Sequence, residues 1–303
     1  MKHTAWTRWK AQSLSNKIFD IVTYTIVFLF FLLCLYPLYY IVLISVSKEV
    51  VGIYIWPVEF TLDGYKMIFR NTEVWSGYAN TIINTVLCVI CSLAATLPCA
   101  YALSRKDFVG RQLFLAIFMV TMYIGGGMVP AYLNMSSLGL LNSRWSIILG
   151  GLCSTFHIII ARTFFGSTIP NELFEAAKID GCGNGRFFTQ IVMPLSKPIT
   201  AVLGLYVGVA RWNSYFSEMI YLRDKDLSPL TLVLRRLLWS VNAMQQMIDE
   251  GMLENVTDAM AEVRMATVMQ YCLIVVSTLP MMLVYPFIQK YFAKGVMIGS
   301  VKG

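Results

Sequence analysis

Residues 172–198 read ELFEAAKIDGCGNGRFFTQIVMPLSKP, the charged and polar interruption between the fourth and fifth apolar runs of this chain. Its first part, residues 172–179, has the composition of a short amphipathic helix. Asp180 and the three glycines that follow it break that helix. Residues 186–192 can form a second short helix, and two prolines would close it. A short helix pair on the surface of a membrane protein is best explained by a partner with a groove that receives it.

The composition is that of a membrane protein. The 303 residues are 57% hydrophobic and 14% charged, whereas soluble domains carry roughly 25% charged residues. Six of the seven cysteines fall inside apolar runs, and Cys182 lies in the polar interruption. This distribution does not indicate a disulfide framework.

Six apolar runs, each near the ~20 residues that a bilayer requires, predict six transmembrane helices. They cover residues 18–45, 81–103, 112–133, 145–166, 198–221 and 267–289. The third run ends in the glycines at 125–127, which should fray or bend that helix near one membrane face. The predicted fold is therefore an all-α membrane protein, a bundle of six spans.

Lysine and arginine are distributed unevenly among the loops, and this predicts the orientation of the chain. An N-terminus inside the cell places most of them on the cytoplasmic side. These inner residues are Lys2, Arg8, Lys10, Lys17, Arg105, Lys106, Arg111, Arg162, Lys178, Arg186, Lys197, Lys290, Lys294 and Lys302. An even number of spans returns the C-terminus to the cytoplasm, which also contains the 172–198 loop.

These boundaries divide the chain into four segments. Residues 1–17 form a basic, weakly amphipathic segment typical of the membrane surface. Residues 18–77 contain the first span and an outer loop, and residues 78–289 form the main transmembrane domain with its cytoplasmic loop. Residues 290–303 are a cytoplasmic tail. The polar outer segment, 222–266, is predicted to contain helices near 229–240 and 243–264.

The 172–198 loop also resembles a known signature, the "EAA" loop of ABC importer permeases. The residues that match it are Glu175, Ala176, Ala177, Asp180, Gly181, Ile191 and Pro194. The resemblance implies a coupling helix that docks into a cleft of a cytoplasmic ATPase. It further implies a type I ABC importer permease fold with both termini inside.

The fifth apolar run contains residues that suit a substrate path: Arg211, Trp212, Asn213, Tyr215 and Glu218. At ~1.5 Å per residue, Arg211 lies about 20 Å along the helix from Pro198, past the middle of a ~30 Å core. Arg211, Tyr215 and Glu218 share one helical face by their spacing. They either line a wet cavity, in which aromatic and polar groups bind a sugar, or pair with neighbouring helices. The sequence leaves both interpretations open.

Two further matches narrow the family. Trp212-Asn213 is similar to a Trp-Asn motif in the fifth helix of maltose-type sugar ABC permeases, although Ser214 stands where many relatives have Glu. Residues 291–303 resemble the ending of carbohydrate permeases, which implies contact of the tail with the ATPase. The residues assigned to that contact are Lys294, Gly295, Gly299, Lys302 and Gly303. Over nearly its whole length the chain resembles the second (MalG-like) permease of a sugar importer, in the polysaccharide-type, LplC-like branch.

The resemblance implies a set of partners. They are a different permease that completes a heterodimer, an ABC ATPase dimer, an extracytoplasmic solute-binding protein and membrane lipid, with no nucleic acid. The chain itself needs no cofactor or metal, because ATP and Mg²⁺ bind to the ATPase. The implied location is the cytoplasmic membrane of a prokaryote, with the outer segment, 222–266, as the candidate for contact with the binding protein.

Three other function classes compete with that of a sugar importer subunit. An enzyme is disfavoured, because the chain has no Gly-Lys dipeptide for a Walker A loop and only two histidines. An ABC permease for a non-sugar solute would share the coupling loop but not the Trp-Asn pair or the tail. A stand-alone secondary carrier would have no use for a docking loop.

Overall fold

The computed structural model describes residues 13–48, 55–252 and 255–295, with side chains up to residue 286. The regular structure in these ranges is helical, apart from one isolated bridge between Ser47 and Phe60. The helices are α1 (Leu14–Ser45), α2 (Asp63–Arg70), α3 (Thr72–Ser104), α4 (Arg111–Tyr123), α5 (Met128–Ser137), α6 (Arg144–Gly150), α7 (Thr155–Thr168), α8 (Asn171–Ile179), α9 (Asn184–Leu195), α10 (Lys197–Trp212), α11 (Phe216–Tyr221), α12 (Leu230–Asp249) and α13 (Val256–Gly295). Most of the basic N-terminal segment lies outside the described residues.

Three described helices are long and apolar enough to cross a membrane: α1, α3 and α13. The number rises to six if each bent pair of helices counts as one span. The helix α1 exposes an almost continuous apolar surface, as a lipid-facing span does. Six spans were predicted, and the helical architecture agrees with that number.

The bent pairs show where the predicted spans are not straight. The α4–α5 pair is bent by 115° at residues 124–127, where Gly127 has a φ of +85°, so the bend predicted at the glycine run is confirmed. The α6–α7 pair is bent by 52°, and this bend was not predicted. Gly150 and Gly151 end α6, and the chain resumes as a helix at Thr155.

The fifth and sixth spans differ from their predicted limits. The fifth was predicted as continuous over 198–221, but α10 ends at Trp212 and α11 begins at Phe216. The last helix begins at Val256, well before the predicted residue 267. The outer helix predicted at 243–264 is wrong, since α12 runs unbroken to Asp249 and the chain turns at Gly251, whose φ is +69°.

The chain divides into two compact units. The first comprises residues up to Ile68 together with Ser240–Val276. Within it, α2 approaches α13 closely, because a Cβ added at Gly64 would lie 2.7 Å from the Cys272 sulfur. The Cys272 thiol donates a hydrogen bond to the Ser45 carbonyl at 3.1 Å.

The second unit comprises Phe69–Trp239 and the residues from Ser277 onward. Its central helix is α3, on which α7 and α10 pack. Gly204 of α10 faces α3, where an added Cβ would make ordinary van der Waals contacts with Leu93 and Val89. The main core of this unit contains Ala100, Ile158, Ala161, Phe165, Phe187 and Leu203. Both candidate sites described next belong to this unit.

Candidate functional site

The first site is the loop around α8, which ends in a well-formed Schellman turn. The Cys182 amide donates to the Ala177 carbonyl at 2.8 Å, and the Gly181 amide donates to the Lys178 carbonyl at 3.1 Å. Gly181 has a φ of +73°, the left-handed conformation that this motif needs at the residue after the cap. The Glu-Ala-Ala part of the pattern thus lies within a short helix, and the glycine ends that helix.

One side of α8 is anchored on the core and the other faces outward. Ala177 is only 8% exposed and joins the main core, whereas Glu175, Ala176 and Asp180 are exposed. Ile179 is 87% exposed at the end of the helix. The chain therefore presents a mixed polar and apolar helix face to its surroundings, held from behind by a small buried residue.

Aromatic contacts hold this loop in place. The Phe174 ring packs edge-on against Phe187, with centroids 5.3 Å apart, and Phe187 is fully buried. The Arg105 guanidinium lies over the Phe174 ring, 3.4 Å from its centroid. Arg105 also donates a hydrogen bond to Asp107, which holds the pKa of that carboxyl below its usual range. The loop after α3 and the α8 helix are thus joined by a cation–π contact.

The second half of the loop is longer and more regular than predicted. A helix was expected at 186–192 with closing prolines, but α9 runs from Asn184 to Leu195, with a π-helical stretch at Phe188–Val192. Ile191 packs against the core and Pro194 is exposed. Pro198 lies in the first turn of α10, where a missing N–H costs nothing, and Pro194 lies near the end of α9, after the π-helical stretch. The chain bends by 81° between α9 and α10, next to Ser196.

The second site is the break between α10 and α11. The Arg211 guanidinium pairs with the Glu218 carboxylate at 3.2 Å, and the Ser214 hydroxyl donates to the same carboxylate at 2.8 Å. Glu218 is 1% exposed. The shared helical face predicted for Arg211, Tyr215 and Glu218 is wrong because the helix ends at Trp212. The break brings Arg211 and Glu218 together, so that they pair with each other rather than with neighbouring helices.

Trp212 and Asn213 line a cavity of about 390 Å³ beside this break. The Trp212 side chain is buried, and its Nε1 donates to the Ser277 carbonyl at 3.0 Å. Asn213 is exposed, although its amide donates to the Val209 carbonyl. Most of the other lining residues are apolar or hydroxyl-bearing: Thr81, Leu205, Val209, Leu230, Thr231, Ser277, Thr278, Met281 and Tyr285.

The sequence analysis missed a polar network at the start of α3. The Arg144 guanidinium donates to the side-chain oxygens of Asn84 at 3.1 Å and Asn80 at 2.5 Å. The Asn80 amide in turn donates to the carbonyls of Asp226 and Ser228. Both asparagines are buried. The available signal was the i, i+4 spacing of two asparagines at the edge of an otherwise apolar run.

The residues assigned to the C-terminal tail lie at the end of the described chain or beyond it. Lys294 and Gly295 are the last residues of α13, while Gly299, Lys302 and Gly303 lie outside the described residues. The role of the tail stays a prediction.

Comparison with known proteins gives consistent matches. Residues 74–298 match the family described as "Binding-protein-dependent transport system inner membrane component". The Bacillus subtilis (strain 168) polygalacturonan/rhamnogalacturonan transport system permease protein YtcP is 37% identical over 297 residues, covering 96% of this chain and 100% of that protein. Protein LplC of the same organism is 36% identical, covering 88% of this chain and 89% of its own length. A chain from the crystal structure of a bacterial ABC transporter that imports the acidic polysaccharide alginate aligns with a TM-score of 0.81 at 35% identity, covering 93% of this chain and 99% of that chain.

Proposed function

We propose a function from one premise: this chain belongs to the family of inner membrane components of binding-protein-dependent transport systems and is an integral membrane protein. The chain is one permease subunit of an ATP-driven importer of oligosaccharides, with both termini in the cytoplasm. It forms half of the translocation path, and a second, different permease forms the other half.

The observation that carries the coupling proposal is the construction of α8. Its helix is stopped by the Gly181 turn, anchored through Ala177 and Phe174, and exposed at Glu175, Ala176 and Ile179. A helix held rigidly from behind moves as one body with whatever binds its outer face. We assign that face to a cleft of the ABC ATPase, so that closure of the ATPase dimer moves the bundle.

The proposed cycle alternates between two packed states of the permease pair. ATP and Mg²⁺ bind to the ATPase subunits, and ATP binding shifts the population towards an outward-open state. That state receives the sugar from an extracytoplasmic binding protein. Hydrolysis returns the permeases to the inward-facing state, and the residues from Lys294 onward are proposed to add a second contact with the ATPase.

Two observations support a sugar as the solute. YtcP is named as a polygalacturonan/rhamnogalacturonan transport permease, and the transporter of the similar crystal structure is involved in alginate import. The cavity beside Trp212 and Asn213 combines an aromatic side chain, hydroxyl groups and an amide, which are the groups that bind sugar rings and their hydroxyls.

Co-purification tests the coupling proposal. The tagged chain is expressed in its native host and purified in mild detergent, and the recovered ATPase is quantified. Ala176→Arg, on the exposed face of α8, should lose the ATPase while the purified chain stays folded. The exposed Ala261 of α13 offers a matched control, and Ala261→Arg should retain it. Equal recovery with both variants would contradict the docking assignment. Recovery of the chain alone, moving solute without ATP, would favour a stand-alone carrier.

A further inference from the structure

A second group of residues lies close to the α10–α11 break and is not part of the Arg211–Glu218 pair. The Arg235 guanidinium on α12 lies over two aromatic rings, 4.8 Å from the centroid of Tyr215 and 5.5 Å from that of Trp239. We call these three residues the Arg235 clamp. Tyr215 belongs to the break itself and Trp239 lies one helical turn beyond Arg235, so the clamp joins two elements of the same unit.

Arg235 is a cation without an acidic partner in the part of the chain that the structure describes. The neighbouring arginines differ from it, since Arg236 faces Glu73 at 3.9 Å and Arg211 pairs with Glu218. The Nε atom of Arg235 is buried and has no hydrogen-bond partner among the described residues. Buried donors are normally satisfied, so the described residues leave the hydrogen-bonding capacity of this guanidinium incompletely used.

The clamp lies one helical turn along α12 from a residue that lines the Trp212–Asn213 cavity. Thr231 lines that cavity and lies one turn before Arg235 on α12, about 6 Å away along the same helix face. The Thr231 hydroxyl donates to the Ser214 carbonyl at 2.6 Å, which fixes the chain immediately before Tyr215. A sugar chain that extends from the cavity along this face of α12 would therefore reach the clamp.

We propose that the Arg235 clamp binds the carboxylate of a uronic acid residue, so that the solute of this permease is an acidic oligosaccharide. This inference rests on the proposed function and specifies its substrate class. A guanidinium can bind a carboxylate through two parallel N–H···O bonds. Trp239 is 47% exposed, and its indole offers apolar surface for the C–H groups of the sugar. A neutral sugar of the same size would leave the guanidinium unpartnered.

The test compares an acidic ligand with its neutral form. Trigalacturonate and its methyl ester are titrated into the purified importer in detergent, with the binding protein omitted so that its own preference has no effect. The wild type should bind the acid about 10- to 100-fold more tightly than the ester, the range of charge-assisted hydrogen bonds. Arg235→Gln should remove this preference, and Arg235→Lys should keep part of it, because the charge remains and the two-point geometry is lost.

The adjacent arginine supplies the control. Arg236→Gln removes a neighbouring charge that already has an acidic partner, and it should leave the preference for the acid intact. A wild type that binds acid and ester equally, or an Arg235→Gln variant that keeps the preference, would overturn the inference.

ATP-driven uptake by the complete wild-type importer distinguishes failure of the clamp inference from failure of the proposed function. Uptake of an oligosaccharide, together with either of these binding results, rejects only the clamp. If the wild type takes up no oligosaccharide of any charge, the proposed function fails and the clamp inference fails with it.

Discussion

Gly181 shows how one residue determines the shape of the coupling loop. Its φ of +73° closes the turn after α8, and a Cβ at this position would meet no atom within 4 Å. The cost of a side chain here is therefore conformational strain and not a collision. Gly181→Ala should reduce stability by about 1 kcal/mol, whereas Gly181→Asn should cost less, because asparagine tolerates this conformation better. Thermal unfolding of the purified protein in detergent measures both, and equal losses would contradict this account of the turn.

The Arg211–Glu218 pair is expected to contribute to stability only when both partners are present. Its side chains are 15% and 2% exposed, so removing one partner leaves a buried charge without compensation. Glu218→Leu should destabilise the protein by about 3–5 kcal/mol, and the double replacement with Arg211→Leu should recover much of that loss. If the double variant is no more stable than the single one, the two residues do not act as a pair.

Sequence patterns predicted the helices better than they predicted the breaks. Apolar runs of about 20 residues identify spans because every backbone group in lipid must be bonded internally. The bend at Gly125–Gly127 was visible as three consecutive glycines. The break at residues 213–215 was not predicted, because a window of about 20 residues averages the polar Asn213 and Ser214 into an apolar run. The Ser214 hydroxyl donates to the Glu218 carboxylate four residues further on. This contact is local, and the Asn-Ser pair was the available signal for the break.

Substitution of Arg144 tests the polar network at the start of α3. Arg144 bonds both buried asparagines, and Asn80 holds the segment that precedes α12. Arg144→Leu leaves two buried amide oxygens without this donor, and we expect a loss of about 1–3 kcal/mol. Arg144→Lys keeps one charged donor and should lose less. Hydrogen exchange of residues 226–230 should increase in the leucine variant, and unchanged exchange would show that the network does not hold this segment.

At the scale of the whole molecule, sequence and structure agree on the architecture and on the loop that interrupts it. The sequence placed Glu175, Ala176 and Gly181 on a short helix and its stop, and the structure adds which side is buried. The sequence did not predict that Trp212 would bond the Ser277 carbonyl, or that Arg235 would lie over the Tyr215 ring. These contacts join residues far apart in the chain, and only the packed bundle brings them together.

The central claim is that the exposed face of α8 transmits ATP hydrolysis to sugar movement. Oligosaccharide uptake and ATP hydrolysis measured in the same proteoliposomes, with the binding protein and both permeases present, test it most directly. The wild type should take up sugar only with ATP. Ala176→Arg should abolish uptake while the chain remains inserted, and Ala261→Arg should leave the ATPase bound to the permease. Uptake that persists without ATP, or that survives Ala176→Arg at full rate, would contradict the account.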